Sequence, residues 1–256
     1  MRKGSLAARY IGSAQRVVAA ERSGAADTQL GMVLTFVAGA ANAGGFLAVG
    51  QYTSHMSGIF SALADNLVLG GVGLVAAGLA ALLLFIAGAA CSAILINWGR
   101  RRNRSDLYAL PLMLEAVLLL GFGLLGTFAY GLPEFTPVAV LLLCFIMGLQ
   151  NATVTKISGA RIRTTHVTGI VTDVGIELGK LAYWNKDRTR PAMSRVYADR
   201  PKLYLLILLL GSFFAGGVFG AFGFQHWGFA ACLPLGLLLL VLTVPSLAHD
   251  LFNRRR

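Results

Sequence analysis

Thr53-Ser54-His55-Met56-Ser57-Gly58 is written a second time as Thr164-Thr165-His166-Val167-Thr168-Gly169. Upstream of the first copy stands Gly39-Ala40-Ala41-Asn42-Ala43, and upstream of the second Gly148-Leu149-Gln150-Asn151-Ala152. Each half of the chain therefore reads Gly-x-x-Asn-Ala, a spacer, then Thr-x-His-x-Ser/Thr-Gly-Ile. A repeated unit of this kind sets an architecture before any single element is assigned. The spacers, 13 residues from Asn42 to His55 and 15 from Asn151 to His166, fit two diverged copies of one unit.

The 256 residues are 56% apolar and only 13% charged, with a mean hydropathy of +0.70. Soluble domains carry about 25% charged residues, so the solvent that suits this composition is a lipid bilayer. A helical crossing needs roughly 20 apolar residues to cover about 30 Å of hydrocarbon. Six stretches meet that requirement: residues 30–49, 74–97, 107–130, 138–155, 203–222 and 229–247. The two His motifs fall between spans, after the first and after the fourth, in segments too short and polar to cross alone.

The net charge of +11 is read by position, and it gives no support to a nucleic-acid partner. Residues 1–29 hold Arg2, Lys3, Arg9, Arg16 and Arg22 and no apolar run long enough for a signal-peptide core. They read as a basic cytoplasmic tail, although an Arg-rich, acid-poor start also resembles an organelle transit peptide. Arg100, Arg101, Arg102 and Arg104 follow the second span, Lys186, Arg188, Arg190, Arg195, Arg200 and Lys202 precede the fifth, and residues 248–256 end on Arg254-Arg255-Arg256. The turns at 131–137 and 223–228 have no Lys or Arg.

Because short basic loops stay on the cytoplasmic side, six spans with both termini inside satisfy every loop. The expected fold is then an all-α integral membrane protein of six transmembrane helices, in two inverted three-helix repeats at 30–131 and 138–247. Three spans per copy is an odd number, so the second copy enters the membrane in the opposite sense. Each repeat carries a short His-motif half-helix, and the two would approach a shared axis from opposite faces.

Chemistry is sought in the repeated residues. Thr53, Ser54, Thr164 and Thr165 are N-cap types. Either they only cap two helices, or the two helix N-termini with Ser57 and Thr168 form a site for an anionic group. His55 and His166 are two of four histidines, and each is either a satisfied hydrogen-bonder or a group that binds an anion or relays a proton. Asn42, Asn151 and Gln150 are uncharged polar groups inside spans, placed to hold substrate or to clip helices together. Asp65 and Asp173 follow their histidines and are candidates for proton or ion coupling, the alternative being an interfacial position.

Glu115 reads as an anchor for the arginines at 100–104. Gly39, Gly148, Gly58 and Gly169 read as sites of close helix approach, and Gly216-x-x-x-Gly220 as helix packing. Cys91, Cys144 and Cys232 have no paired spacing and read as packing residues. No cofactor or metal set is legible, and no nucleophile elbow, phosphate loop or zinc-protease string gives support to an enzyme.

At Phe36-Val37-Ala38-Gly39-Ala40-Ala41-Asn42-Ala43-Gly44-Gly45-Phe46-Leu47, Ser54-His55-Met56-Ser57-Gly58, Met147-Gly148-Leu149-Gln150-Asn151-Ala152 and Arg163-Thr164-Thr165-His166-Val167-Thr168-Gly169 the chain resembles the YoaK-like family of bacterial inner-membrane proteins, a domain of unknown function. The resemblance covers about residues 30–247 and implies a multi-pass protein of the bacterial inner membrane, suggestive of transport, with no assigned substrate. Family members commonly have Asp at position 42, Thr at 57, Asn at 59 and Tyr at 166. His166 therefore makes the two halves here more alike than the resemblance implies.

The expected function is that of a small secondary transporter or permease taking a small solute between the repeats. The alternative is a channel or a scaffold in which the motifs only pack and cap. An intramembrane enzyme stands third. The bilayer and an unknown solute are the expected partners, with a second copy of the chain as a further one.

Overall fold

The computed structural model describes residues 24–102, 106–157, 165–183 and 196–253, of which 24–27 and 245–253 are described by backbone alone. Thr164, Trp184, Arg104, the basic tail before residue 24, the cluster Lys186 to Arg195 and the terminal arginines lie outside the described residues.

Within them the chain is helical and has no strand. The helices are α1 (Gly24–Val49), α2 (Met56–Val68), α3 (Val72–Arg101), α4 (Ala109–Ala129), α5 (Phe135–Ile157), α6 (Val167–Ala182), α7 (Arg200–Trp227) and α8 (Cys232–Asn253), with a 3-10 turn at Gly228–Ala231. Five stretches are long and apolar enough to cross a bilayer: Thr28–Val49, Val72–Arg101, Ala109–Ala129, Phe135–Ile157 and Arg200–Val244. The last has 45 residues. As one helix it would run about 68 Å at 1.5 Å per residue, more than twice the hydrocarbon thickness. It is divided at Gly228, whose φ of 55° suits glycine and ends α7. Large apolar side chains such as Leu83, Ile94, Phe128, Phe214 and Val218 point outward along these helices, a surface that water would penalise and lipid would not.

Turn chemistry separates the short helices from the long ones. Gly50 at φ 73° ends α1 and Gly70 at φ 75° separates α2 from α3. Asp199 caps α7 by accepting from Lys202 N–H at 3.0 Å, with Pro201 in the first helical turn.

The helices pair in a pattern. α1 packs on α7, α3 on α5, and α4 on α8, while α2 lies against α3 and α6 against α7. Exchanging α1 with α5, α2 with α6, α3 with α7 and α4 with α8 returns these five pairs, whereas α4 also packs on α5 more extensively than α8 does on α1.

The two tightest crossings are made by four copies of Phe-x-x-Gly. A Cβ on Gly39 would overlap the Phe213 carbonyl, and one on Gly216 the Phe36 carbonyl. In the other crossing Gly148 meets the Phe85 carbonyl and Gly88 the Phe145 carbonyl. Backbones this close are the gain that small residues bring to helix pairs in lipid. Gly220 against Ala40 extends the first crossing, which places Gly216-x-x-x-Gly220 in helix packing as the sequence implies.

Contact order along each pair gives its direction. Ser212 bonds Met32, Gly216 meets Phe36 and Gly220 meets Ala40, so α1 and α7 run the same way. Gly88 with Phe145 and Ser92 with Thr153 make α3 and α5 parallel. Gly123 against Phe229 and Gly236 against Ala116 make α4 and α8 antiparallel.

Candidate functional site

Each His motif is built in the same way. Ser54 Oγ donates to Asn42 Oδ1 at 2.7 Å, and Thr165 Oγ1 donates to Asn151 Oδ1 at 2.7 Å. The asparagine on a long helix thus holds the start of the short helix that follows it. The N-cap residues are His55 and His166, one residue later than the hydroxyls, and neither makes a side-chain cap bond. This corrects the expectation that Ser54 and Thr165 cap the helices. Their hydroxyl protons go to the asparagines instead, and the first-turn N–H groups are left without a side-chain partner.

The imidazoles fold over the helix start. A Cβ on Gly169 would run into the ring of His166 and one on Gly58 would press against that of His55 at 3.0 Å, so these glycines make room for histidine and not for a second helix. Ile59 N–H bonds the His55 carbonyl and Ile170 N–H the His166 carbonyl, both at 3.1 Å. In both motifs the histidine is exposed, the Ser or Thr two residues on, Ser57 or Thr168, is exposed, and the isoleucine is buried.

The motifs are assembled separately and differ in surroundings. His55 lines a groove of about 620 Å³ between α2, α3 and the start of α5, with Tyr52, Gln51 and Asn66 as polar neighbours and Ile59, Leu63, Ala81 and Val140 as apolar walls. His166 is not on that groove. Thr53 is fully buried and its hydroxyl has no partner.

Gln150 is buried and joins the halves, its Nε2 donating to the Leu34 carbonyl at 3.1 Å, while its Oε1 has no partner. Asn151 also donates to the Met147 carbonyl at 2.9 Å. It therefore spans its own helix and the motif.

The acidic candidates stand apart from the histidines. Asp65 is exposed on α2. Asp173 pairs with Lys202 at 3.3 Å. Its neighbour Glu177, which the sequence reading passed over, accepts from Lys180 Nζ at 2.8 Å and from Asp199 N–H at 2.8 Å. The Lys180 bond first, and the Asp199 bond with it, hold the Glu177 carboxyl below its ordinary range. This cluster fastens α6 to the start of α7. Its legible signal was the i, i+3 spacing of Glu177 and Lys180.

Glu115 does not anchor the arginines. It is buried and neither carboxylate oxygen has a partner, because it lies on the face of α4 that carries Leu112, Ala116 and Leu119 into the core. Arg102 instead lies over the Trp98 ring, 4.6 Å from its centre. Among the described residues no group of three or more His, Cys, Asp and Glu could hold a metal.

Long apolar helices, lipid-suited outer faces and close Gly-mediated crossings define a polytopic helical membrane protein. The chain matches the family described as a protein of unknown function (DUF1275) over residues 30–244, and it belongs to that family. No curated protein and no solved structure matches it.

Proposed function

We propose that this protein is a small secondary transporter of two inverted three-span repeats, which binds a small anionic solute at the His-bearing starts of α2 and α6. The observation that carries the proposal is the twinned Asn-to-hydroxyl bond, 2.7 Å in each half. It holds an uncapped helix start and an exposed imidazole in the same relation twice. Free N–H groups and the positive end of a helix dipole favour an anion, and a protonated imidazole adds to that field. The groove beside His55 is of a size that suits a small ligand.

Helix directions support the threading. With crossings alternating in sense, antiparallel α4 and α8 require an odd number of steps between them, so α6 does not cross. Parallel α1 and α7 then require that α2 does not cross either. Six crossings with two short helices dipping between them make the second repeat the inverse of the first. Basic segments on one side support both termini in the cytoplasm, and the family resemblance supports a bacterial inner membrane. Rocking of one repeat on the other across the Phe-x-x-Gly crossings would alternate access. Asp65 and Asp173, on the two short helices, are the candidates for proton or ion coupling. The proposed partners are the bilayer, the solute and a second copy of the chain, with no enzymatic step.

A second reading, a channel or a scaffold, is favoured by the asparagines, which are occupied in holding the motifs. A thermal-shift screen of the purified protein with phosphate, sulfate and small carboxylates separates the two. Ligand at 100 times its dissociation constant adds about 2.7 kcal/mol to the folded state. The transporter reading expects stabilisation that is lost when His55 and His166 are both changed to Ala in a protein that still folds. Failure of every anion to stabilise the wild type would favour the scaffold.

A further inference from the structure

Glu115 is the single acidic residue in the five stretches able to cross a bilayer. It is the seventh residue of α4, roughly 9 Å along the helix at 1.5 Å per residue. It is 1% exposed, and both carboxylate oxygens are buried without a hydrogen-bond partner. One turn to either side, Leu112 and Leu119 are fully buried in the main apolar core.

The elements packed against α4 are α8, α5, the 3-10 turn and α3. Their titratable or charged groups are Cys232 on α8, Cys144 and Lys156 on α5, and Cys91, Arg100 and Arg101 on α3, the side chains of His249 and Asp250 lying outside the described residues. Lys156, Arg100 and Arg101 are exposed at helix ends, and Glu115 makes no hydrogen bond to any of these groups. An ionised carboxylate in such a place would be a buried charge with no compensation, and such groups neutralise instead.

We propose that Glu115 is a buried proton-binding site, carrying its proton in the resting folded protein. A metal cation fits less well, since hard cations gather six or more oxygens and among the described residues no cluster of acidic or His side chains surrounds this one. A proton needs one oxygen. If the transporter reading above holds, on which this further role rests, Glu115 supplies the enclosed ion that Asp65, exposed, and Asp173, paired with Lys202, do not.

Infrared spectroscopy of the purified protein tests the site without any solute. At about pH 7 exposed glutamates are ionised, so a protonated-carboxyl carbonyl band must come from an enclosed acid. The expected result is a band that shifts when glutamate is 13C-labelled and is missing from Glu115→Gln. Labelled wild type beside labelled Glu21→Gln carries the test if the Glu115 variant does not fold, because of the remaining glutamates Glu134 is exposed and Glu177 is held ionised by its partners. No shifting band at about pH 7 overturns the proposal, as does a band abolished by sodium chloride but not by choline chloride, which would assign a cation. A band with no solute found leaves the proton site standing and removes only the transporter. A solute with no band does the reverse.

Discussion

Thr165 donates its hydroxyl proton to Asn151 Oδ1 at 2.7 Å, and through that bond a long helix sets where a short one begins. The twin bond from Ser54 to Asn42 has the same length. A hydrogen bond of this kind contributes about 0.5–1.5 kcal/mol net, but removing one partner strands the other at a cost of about 1–3 kcal/mol. Asn151→Ala should therefore destabilise the protein by about 1–3 kcal/mol. In a double-mutant cycle with Thr165→Ala the two changes should couple by about 1 kcal/mol. Denaturation in detergent measures both, and additive effects would mean that the bond does not form.

Gly148 and Gly175 separate packing from propensity. A Cβ at Gly148 would overlap the Phe85 carbonyl, whereas one at Gly175 meets nothing within 4 Å. Gly148→Ala should lower stability by about 1–3 kcal/mol through forced separation of α3 and α5. Gly175→Ala, mid-way along α6, should raise it by about 0.5–1 kcal/mol. Melting temperatures moving in the same direction for both variants would contradict the crossing geometry.

The long helices were legible because apolar length alone defines a span, and the two motifs because they repeat. Most boundaries moved outward, as from residues 74–97 to Val72–Arg101, since helices continue past the hydrocarbon that hydropathy detects; the third span instead drew in from 107–130 to Ala109–Ala129, and the sixth starts at Cys232 after a 3-10 turn. The choice made by Ser54 and Thr165 was not legible. A hydroxyl before a helix can cap it or bond across to another element, and only the partner's position decides. Glu115 was misplaced for a related reason. An almost uniformly apolar helix has no amphipathic pattern to show which face turns inward, so nearness in sequence to Arg100 and Arg101 misled. The four Phe-x-x-Gly copies went unnoticed because which helices pair is not written in either helix alone.

Glu177 gives the structure a pH dependence with a definite sign. Its folded carboxyl lies below the ordinary value of 4.5, first because of the Lys180 bond and then the Asp199 N–H. A depressed carboxyl stabilises the fold fully above its unfolded value and loses that contribution as pH falls through the folded one. Between α6 and the start of α7, attachment should thus be intact at neutral pH and weaken as pH falls below 4.5. Protection of the Asp199 amide, whose N–H bonds Glu177 at 2.8 Å, measured as its exchange rate relative to an unprotected amide at the same pH, should fall over that window in the wild type. In Glu177→Gln protection should already be low at neutral pH, and a wild-type protection factor that does not change with pH would show that Glu177 does not hold this amide.

In the six-span threading proposed above, charge and helix count together set the sidedness. Arg100, Arg101 and Arg102 close α3, and α4 begins a few residues later at Ala109, so both ends share one face. Glu134 precedes α5 at the far end of α4 and lies in a turn without Lys or Arg. Short basic loops remain cytoplasmic, hence Glu134→Cys should react with an impermeant maleimide added to intact cells. Arg102→Cys should react only after permeabilisation. The native thiols interfere little, since Cys144 and Cys232 are buried and Cys91 is partly covered. Labelling of both sites from the same side would mean that α4 does not cross, which the antiparallel packing of α4 and α8 would then have to accommodate in another way. Labelling with the sides exchanged would keep the six crossings and turn the whole protein over, putting the uncapped start of α2 on the cytoplasmic face and that of α6 outside.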